Sequence, residues 1–251
     1  MLLSSLLSAL SGNFDLEELI TELLLTLPVI LLALSFHEAA HGFVAWKCGD
    51  NTAHAMGRIT LNPFKHFDAI GFLCMMLIGY GWAKPVPINT RNFRNPKKGM
   101  ALSALAGPMA NLILGLISAV LFGFTYAWSW YLGAPGISSA FAVRCVELLV
   151  QLLSLSAVYN FLFMVFNLIP IPPFDGSRIF LAFLPPKQYF AIMRYEREIM
   201  IGLLLLLVVF SNVFGFSPFG WIAEKLTVSI ASPIANFFYE HVFLEKLIAA
   251  L

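Results

Sequence analysis

The chain has 251 residues, of which 59% are hydrophobic and only 12% charged, with a formal net charge of +1. An ordinary soluble domain is about one quarter charged, so this composition excludes one, and the near-neutral balance gives no footing for nucleic acid or a bulk acidic partner. Cys48, Cys74 and Cys145 show no Cys-x-x-Cys spacing and no even pairing, which gives no disulfide framework.

A membrane-spanning helix needs about 20 mostly apolar residues, and four stretches reach that length: Leu19–Trp46, Met100–Leu132, Val146–Leu168 and Ile199–Phe216. Between them, Ile70–Trp82 is too short to cross comfortably and is expected to be re-entrant. Trp221–Leu251, interrupted by Pro233 and dotted with charge, is expected to be partly interfacial. The expected fold is an all-α polytopic membrane protein with about 4–6 transmembrane helices and a short membrane-associated β or re-entrant segment after the first core helix. The whole chain, 1–251, reads as one domain, with a core at 19–185 and a C-terminal span and interfacial helix at 199–251.

Charge placement sets the expected orientation. No Lys or Arg precedes Lys47, and the leader carries Asp15, Glu17, Glu18 and Glu22, whereas Lys84–Lys98 holds five basic residues and no acid. By the positive-inside bias that loop is cytoplasmic and the N-terminus outside. The apolar start has no basic n-region, so a cleaved signal peptide is not expected.

The strongest chemical signal is His37-Glu38-Ala39-Ala40-His41, near the end of the first long apolar stretch. On a helix, two imidazoles four residues apart share a face and reach one tetrahedral ion, while Glu38 can hold an attacking water. Ionisable groups at membrane depth persist where they have a partner or a task; the competing reading is a polar patch that holds helices together. A catalytic zinc wants three protein ligands and an open position, so a third must come from elsewhere. Asp175 stands out, because it ends Asn167-Leu-Ile-Pro170-Ile-Pro172-Pro173-Phe-Asp175-Gly176, where three prolines must break a helix. Broken backbone at membrane depth lines a cavity or is buried in protein. The other reading of Asp175 is a cap for a helix starting at Ser177.

Taken together, His37-Glu38-x-x-His41 and Asn167-x-x-Pro170-x-Pro172-x-x-Asp175-Gly176 resemble the site-2 protease family of intramembrane metalloproteases. Further matching segments are Gly57-Arg-Ile-Thr-Leu-Asn62-Pro63, Gly81-Trp-Ala-Lys-Pro85-Val-Pro87, Ala106-Gly107-Pro108-Met-Ala-Asn111, and Asn160 ahead of Asn167. They resemble the compact bacterial and archaeal subgroup without a PDZ or CBS domain, over about Leu31 to Phe183. In His66-Phe67-Asp68-Ala69-Ile70-Gly71 an alanine stands where that pattern has proline, which bears on local geometry rather than chemistry.

The resemblance implies one zinc ion per chain held by His37, His41 and Asp175, with Glu38 as catalytic acid and base. It also implies that the carboxamides of Asn111, Asn160 or Asn167 lie near the cleft. The implied substrates are transmembrane proteins or peptides in a lipid bilayer, the implied location is a bacterial or archaeal plasma membrane, and the site opens toward the cytoplasm. A helical substrate hides its amides, so it must be offered an edge: Arg58–Leu61, with Ile59, alternates as a strand does, and Pro85–Ile88 is a second extended segment. Gly115, Ala119 and Gly123 form a small-residue ridge for close helix packing, and Gly107 and Pro108 mark the start of that helix. Three other functions fit parts of the pattern: a silent helix-binding adaptor, an ion or metal transporter, and a zinc protease whose third ligand is a distal glutamate, Glu196 or Glu198.

Overall fold

The computed structural model describes residues 16–78, 81–134, 139–214 and 217–244. Among them there is no β-strand. The long helices are α1 (Leu16–Lys47), α4 (Pro96–Leu132), α5 (Ala140–Asn167), α8 (Glu196–Phe214) and α9 (Pro218–Phe238). Shorter helices are α2 (Thr52–Ala55), α3 (Ala69–Ile78), α6 (Asp175–Leu181) and α7 (Pro186–Met193). Three helical segments, Ile20–Lys47, Pro96–Leu132 and Ala140–Asn167, are long and apolar enough to cross a membrane. The expected fourth span falls on α8, which is not one of these three; its last two residues, 215–216, lie outside the described residues, as do much of the acidic leader and the end of the C-terminal segment.

Proline reads differently here than in water. Pro28, Pro108 and Pro233 all sit inside helices, so α9 runs unbroken through Pro233, and Gly107-Pro108 lies within α4 rather than at its start. At membrane depth a missing N–H is tolerated where neighbouring groups satisfy the freed carbonyl. The three prolines of 170–173 do what one cannot: α5 ends at Asn167 and helix resumes only at Asp175.

The chain forms two compact units, Met1–Asn111 with Phe163–Ser217, and Leu112–Leu162 with Pro218–Leu251; α4 and α5 each contribute to both. In the second unit the small-residue ridge is occupied as expected. A Cβ on Gly115 would stand 2.8 Å from the Phe161 ring, one on Gly123 would stand 2.5 Å from Ala231 O, and Ala119 is fully buried. Where lipid is as apolar as leucine, such close packing is what holds helices together. The opposite surface of α4 exposes Ile113, Leu116, Ile117, Val120 and Leu121, a face suited to lipid.

In the first unit, α3 is only ten residues long, about 15 Å, half the hydrocarbon thickness. The chain is back against its beginning by Gly81: a Cβ on Gly71 would stand 2.1 Å from Trp82 O, and one on Gly81 would stand 2.1 Å from Gly71 O. Lys84 N–H donates to His66 O at 2.8 Å and closes the base of this excursion. Asp68 Oδ1 accepts Gly71 N–H at 2.8 Å, Asn62 Oδ1 accepts Phe64 N–H at 3.0 Å, and the His66 ring meets Thr60 O at 2.9 Å. These polar residues therefore serve loop backbone. Arg58–Leu61, the expected strand, is irregular.

Asp50 organises the basic loop. Fully buried, it accepts Asn89 N–H at 2.7 Å, the Asn92 amide at 2.8 Å and Thr52 N–H at 3.1 Å. Burial pushes its carboxyl up, but hydrogen bonds from Thr52, Asn89 and Asn92 outweigh this and hold it below the usual carboxylate value. A group lowered in the folded state lends stability that is complete above about pH 4 and drains away as pH falls through its folded value. Asp50→Ala leaves these donors unmet and is expected to cost about 2–4 kcal/mol, read as accelerated hydrogen exchange at the Thr52 and Asn89 amides at neutral pH.

Candidate metal centre

The last turns of α1 carry His37 and His41 on one face, both buried. Against that face lies α4, which presents Ser103, Gly107 and Asn111 at a spacing of four. Each has a distinct task. Ser103 O accepts from His41 Nδ1–H at 2.7 Å, and Asn111 Oδ1 accepts from His37 Nδ1–H at 2.9 Å. Between them Gly107 lets α4 approach the rings, because a Cβ there would stand 2.4 Å from His41 Nε2 and 2.6 Å from His37 Cε1. Ser103 Oγ also donates to His41 O at 3.0 Å.

With both Nδ1 atoms committed as donors, each Nε2 presents a lone pair, and both point to one place. His37 Nε2 and His41 Nε2 are 2.9 Å apart. Asp175 Oδ2 lies 3.0 Å from the first and 3.2 Å from the second. It arrives there because the proline-broken stretch ends at Phe174 and α6 begins with Asp175 itself, not at Ser177. Gly176 allows the turn to pack on it: a Cβ would stand 2.3 Å from Leu168 O and 2.5 Å from Ile169 O.

Three acceptors converging at these distances repel unless a metal cation or a proton stands among them. The edges of the donor triangle, 2.9, 3.0 and 3.2 Å, approach the roughly 3.3 Å edge of a tetrahedron with ligands about 2.0–2.1 Å from its centre. Two neutral imidazoles and a carboxylate form a donor set that zinc accepts, and three ligands leave a fourth position for water or substrate. The residues therefore fit the metal, and they form the metal-ligand cluster found among the described residues.

Glu38 lies on the adjacent face, half-buried, with Oε2 accepting Val86 N–H at 2.8 Å. One turn further on, Gly42 receives Val86 and Ile59, whose side chains stand 3.1 and 3.2 Å from where its Cβ would be. Both extended segments singled out in the sequence thus pack on the helix that carries the imidazoles.

The other expected residues divide. Asn111 is committed to His37. Asn160 belongs to the second unit, where its amide donates to Ser156 O at 2.8 Å. Asn167 is half-buried at the end of α5 and donates to Phe163 O at 3.0 Å. Glu196, the competing third ligand, is paired with Arg178 at 3.6 Å. Ser103 was not picked out by sequence reasoning, since its backbone carbonyl does the work and only its spacing from Gly107 and Asn111 pointed to it.

The model of peptidase family M50 matches residues 25–209. This chain belongs to peptidase family M50, the site-2 proteases. The M50 match extends beyond Leu31–Phe183 on both sides and takes in α8 as far as residue 209. Among relatives, YwhC of Bacillus subtilis, named as a candidate zinc metalloprotease, is 38% identical over 189 residues, covering 74% of this chain and 81% of that protein. Rip2 of Mycolicibacterium smegmatis, named likewise, is 27% identical over 219 residues, with 82% and 78% covered. Rip2 of Mycobacterium tuberculosis is 26% identical over 210 residues, with 79% and 73% covered. No solved structure matches.

Two substitutions on α4 test this M50 site from outside the donor set. Gly107→Ala drives a methyl into both imidazoles and is expected to abolish metal retention through dialysis. Asn111→Leu frees His37 to turn and is expected to weaken metal binding about 10–100-fold while the helix content holds. Metal analysis and competition with a chromogenic chelator read both.

Proposed function

We propose that this protein is a zinc-dependent endopeptidase that cuts peptide bonds in or near the transmembrane segments of other membrane proteins, with His37, His41 and Asp175 as zinc ligands and Glu38 as acid and base. The observation that carries the reading is the meeting of Asp175 Oδ2 with two imidazole nitrogens across a sequence separation of 138 residues. Relatives named as candidate zinc metalloproteases support zinc as the metal.

When bound, zinc supplies a Lewis acid for the scissile carbonyl and lowers the pKa of water. The chain's residues manage the proton. With Oε2 held by Val86 N–H, Glu38 has Oε1 free to take a proton from the attacking water. Glu38 then returns it to the leaving amine nitrogen as the carbon–nitrogen bond breaks. His37 and His41 stay in fixed tautomers throughout, held by Asn111 and Ser103.

The membrane arrangement follows the same residues. Trp46 and Lys47 end α1, with Lys47 Nζ 4.5 Å from the Trp46 ring and Trp46 stacked on His54 at 4.6 Å. Read as an interfacial anchor, this pair sets His41 and His37 about 8 and 14 Å deeper along the helix. Ala69–Ile78 dips in and returns, which keeps the basic segments 47–65 and 84–98 together on the cytoplasmic side, with the N-terminus outside and the site opening inward. With α8 as a fourth span and the segment from Trp221 partly interfacial, the chain is a single domain with one re-entrant segment, in a bacterial or archaeal plasma membrane. A substrate strand pairs beside Ile59. Asn167, next to the break, is the carboxamide nearest substrate, since Asn111 is engaged and Asn160 is buried.

Metal analysis beside an assay on single-span test substrates tests this. Wild type and Glu38→Ala are expected to hold one zinc per chain, Asp175→Ala to bind it weakly, and only wild type to turn over. Ile59→Pro is expected to abolish cleavage with zinc retained; cleavage at the wild-type rate would remove Ile59 from the substrate edge.

A further inference from the structure

Arg58 is a buried cation, 8% exposed, and among the described residues no acid lies within ion-pair distance of it. Burying a charge without a partner is costly, so its contacts call for a reason. Gly57, in the left-handed region at φ +63°, turns the chain after α2, and Arg58 N–H closes that turn on Ala53 O at 2.9 Å. The guanidinium then reaches the proline-rich segment, where Nη2 donates to Lys84 O at 2.9 Å and Pro85 O at 3.1 Å. Its Nε has no partner among the described residues.

Pro85 C=O and Val86 N–H belong to one peptide group. Its oxygen is held by Arg58 and its hydrogen by Glu38 Oε2. The cation and the carboxylate therefore grip opposite ends of a single planar unit that does not rotate about its C–N bond. Prolines on both sides fix their own φ and supply no N–H, so Val86 is the sole backbone donor of Pro85–Pro87. Charge at each end strengthens the hydrogen bond at the other.

We propose that Arg58 is a positioning residue for proteolysis: by holding the carbonyl end of the Pro85–Val86 peptide it aims the N–H end at Glu38, and so fixes which carboxylate oxygen is free to move the proton. The proposal rests on Glu38 as acid and base. It requires that loss of the Arg58 side chain lower kcat while leaving zinc and substrate binding in place, because the substitution touches no metal ligand and keeps the backbone of the Arg58–Leu61 edge.

The test uses the full-length protein in detergent or nanodiscs, with zinc content, KM and kcat measured on a single-span substrate. Arg58→Met is expected to keep one zinc per chain and a KM within about threefold of wild type, while kcat falls about tenfold or more. Arg58→Lys, which keeps the charge and part of the reach, is expected to recover part of that loss. Val86→Pro removes the N–H and is expected to reproduce the Arg58→Met loss. In Arg58→Met/Val86→Pro the losses are expected not to multiply, since both break one chain of contacts. If Arg58→Met does not fold, Arg58→Lys takes its place in that cycle with the same expectation of non-additivity.

A kcat within about twofold of wild type in Arg58→Met, a loss carried by KM or by zinc content, or multiplying losses in the double variant would each overturn the proposal. Turnover retained by Glu38→Ala would overturn the functional reading itself; an inactive Glu38→Ala beside a fully active Arg58→Met overturns the proposal alone.

Discussion

The structure turns on one electrostatic constraint: two imidazole lone pairs and a carboxylate oxygen are brought within about 3 Å of one another in a buried setting. Three acceptors in that position repel unless a metal cation or a proton stands among them, and everything nearby is arranged to force the meeting. On α4, Ser103 and Asn111 remove the alternative tautomers, and Gly107 removes the methyl group that would hold the helix away. Between Asn167 and Asp175 the prolines end one helix and start another, so that a carboxylate enters from a helix start rather than from a helix side. Gly176 lets the turn carbonyls sit where a side chain would be.

A second layer controls Glu38. The loop that follows α1 is tied by buried charges whose partners are mostly backbone groups: Asp50 gathers Asn89, Asn92 and Thr52, and Arg58 gathers the carbonyls of Lys84 and Pro85. Such bonds to ionised groups are worth more than neutral ones, about 1.5–3 kcal/mol each, and in a loop with little regular structure they replace the ladder a sheet would supply. The outcome is a fixed peptide N–H facing Glu38, with the α1 surface at Gly42 receiving Ile59 and Val86.

Much of the donor set was legible beforehand because its spacing is dictated by chemistry: i and i+4 on a helix for the imidazoles, and a proline break at membrane depth for Asp175. The ridge at Gly115, Ala119 and Gly123 was legible for a similar reason, since small residues at a spacing of four suit close approach. What failed were rules learned in water. Pro233 does not break α9 and Pro108 does not start α4, since a proline inside a packed helix is tolerated where neighbouring groups satisfy the freed carbonyl. The alternation at Arg58–Leu61 read as a strand, yet Arg58 is drawn inward by carbonyls about 26 residues away, a long-range contact that local periodicity cannot report. Ser103 was missed because a backbone carbonyl carries no side-chain signature, and its spacing of four from Gly107 was the one signal it gave.

X-ray absorption at the zinc edge on the purified, metal-loaded protein reads the central claim most directly. The account predicts a nearest shell of nitrogen and oxygen at about 2.0–2.1 Å with the outer scattering of two imidazoles, one of them lost in His41→Ala. A shell containing sulfur at about 2.3 Å, or one unchanged by His41→Ala, would contradict it.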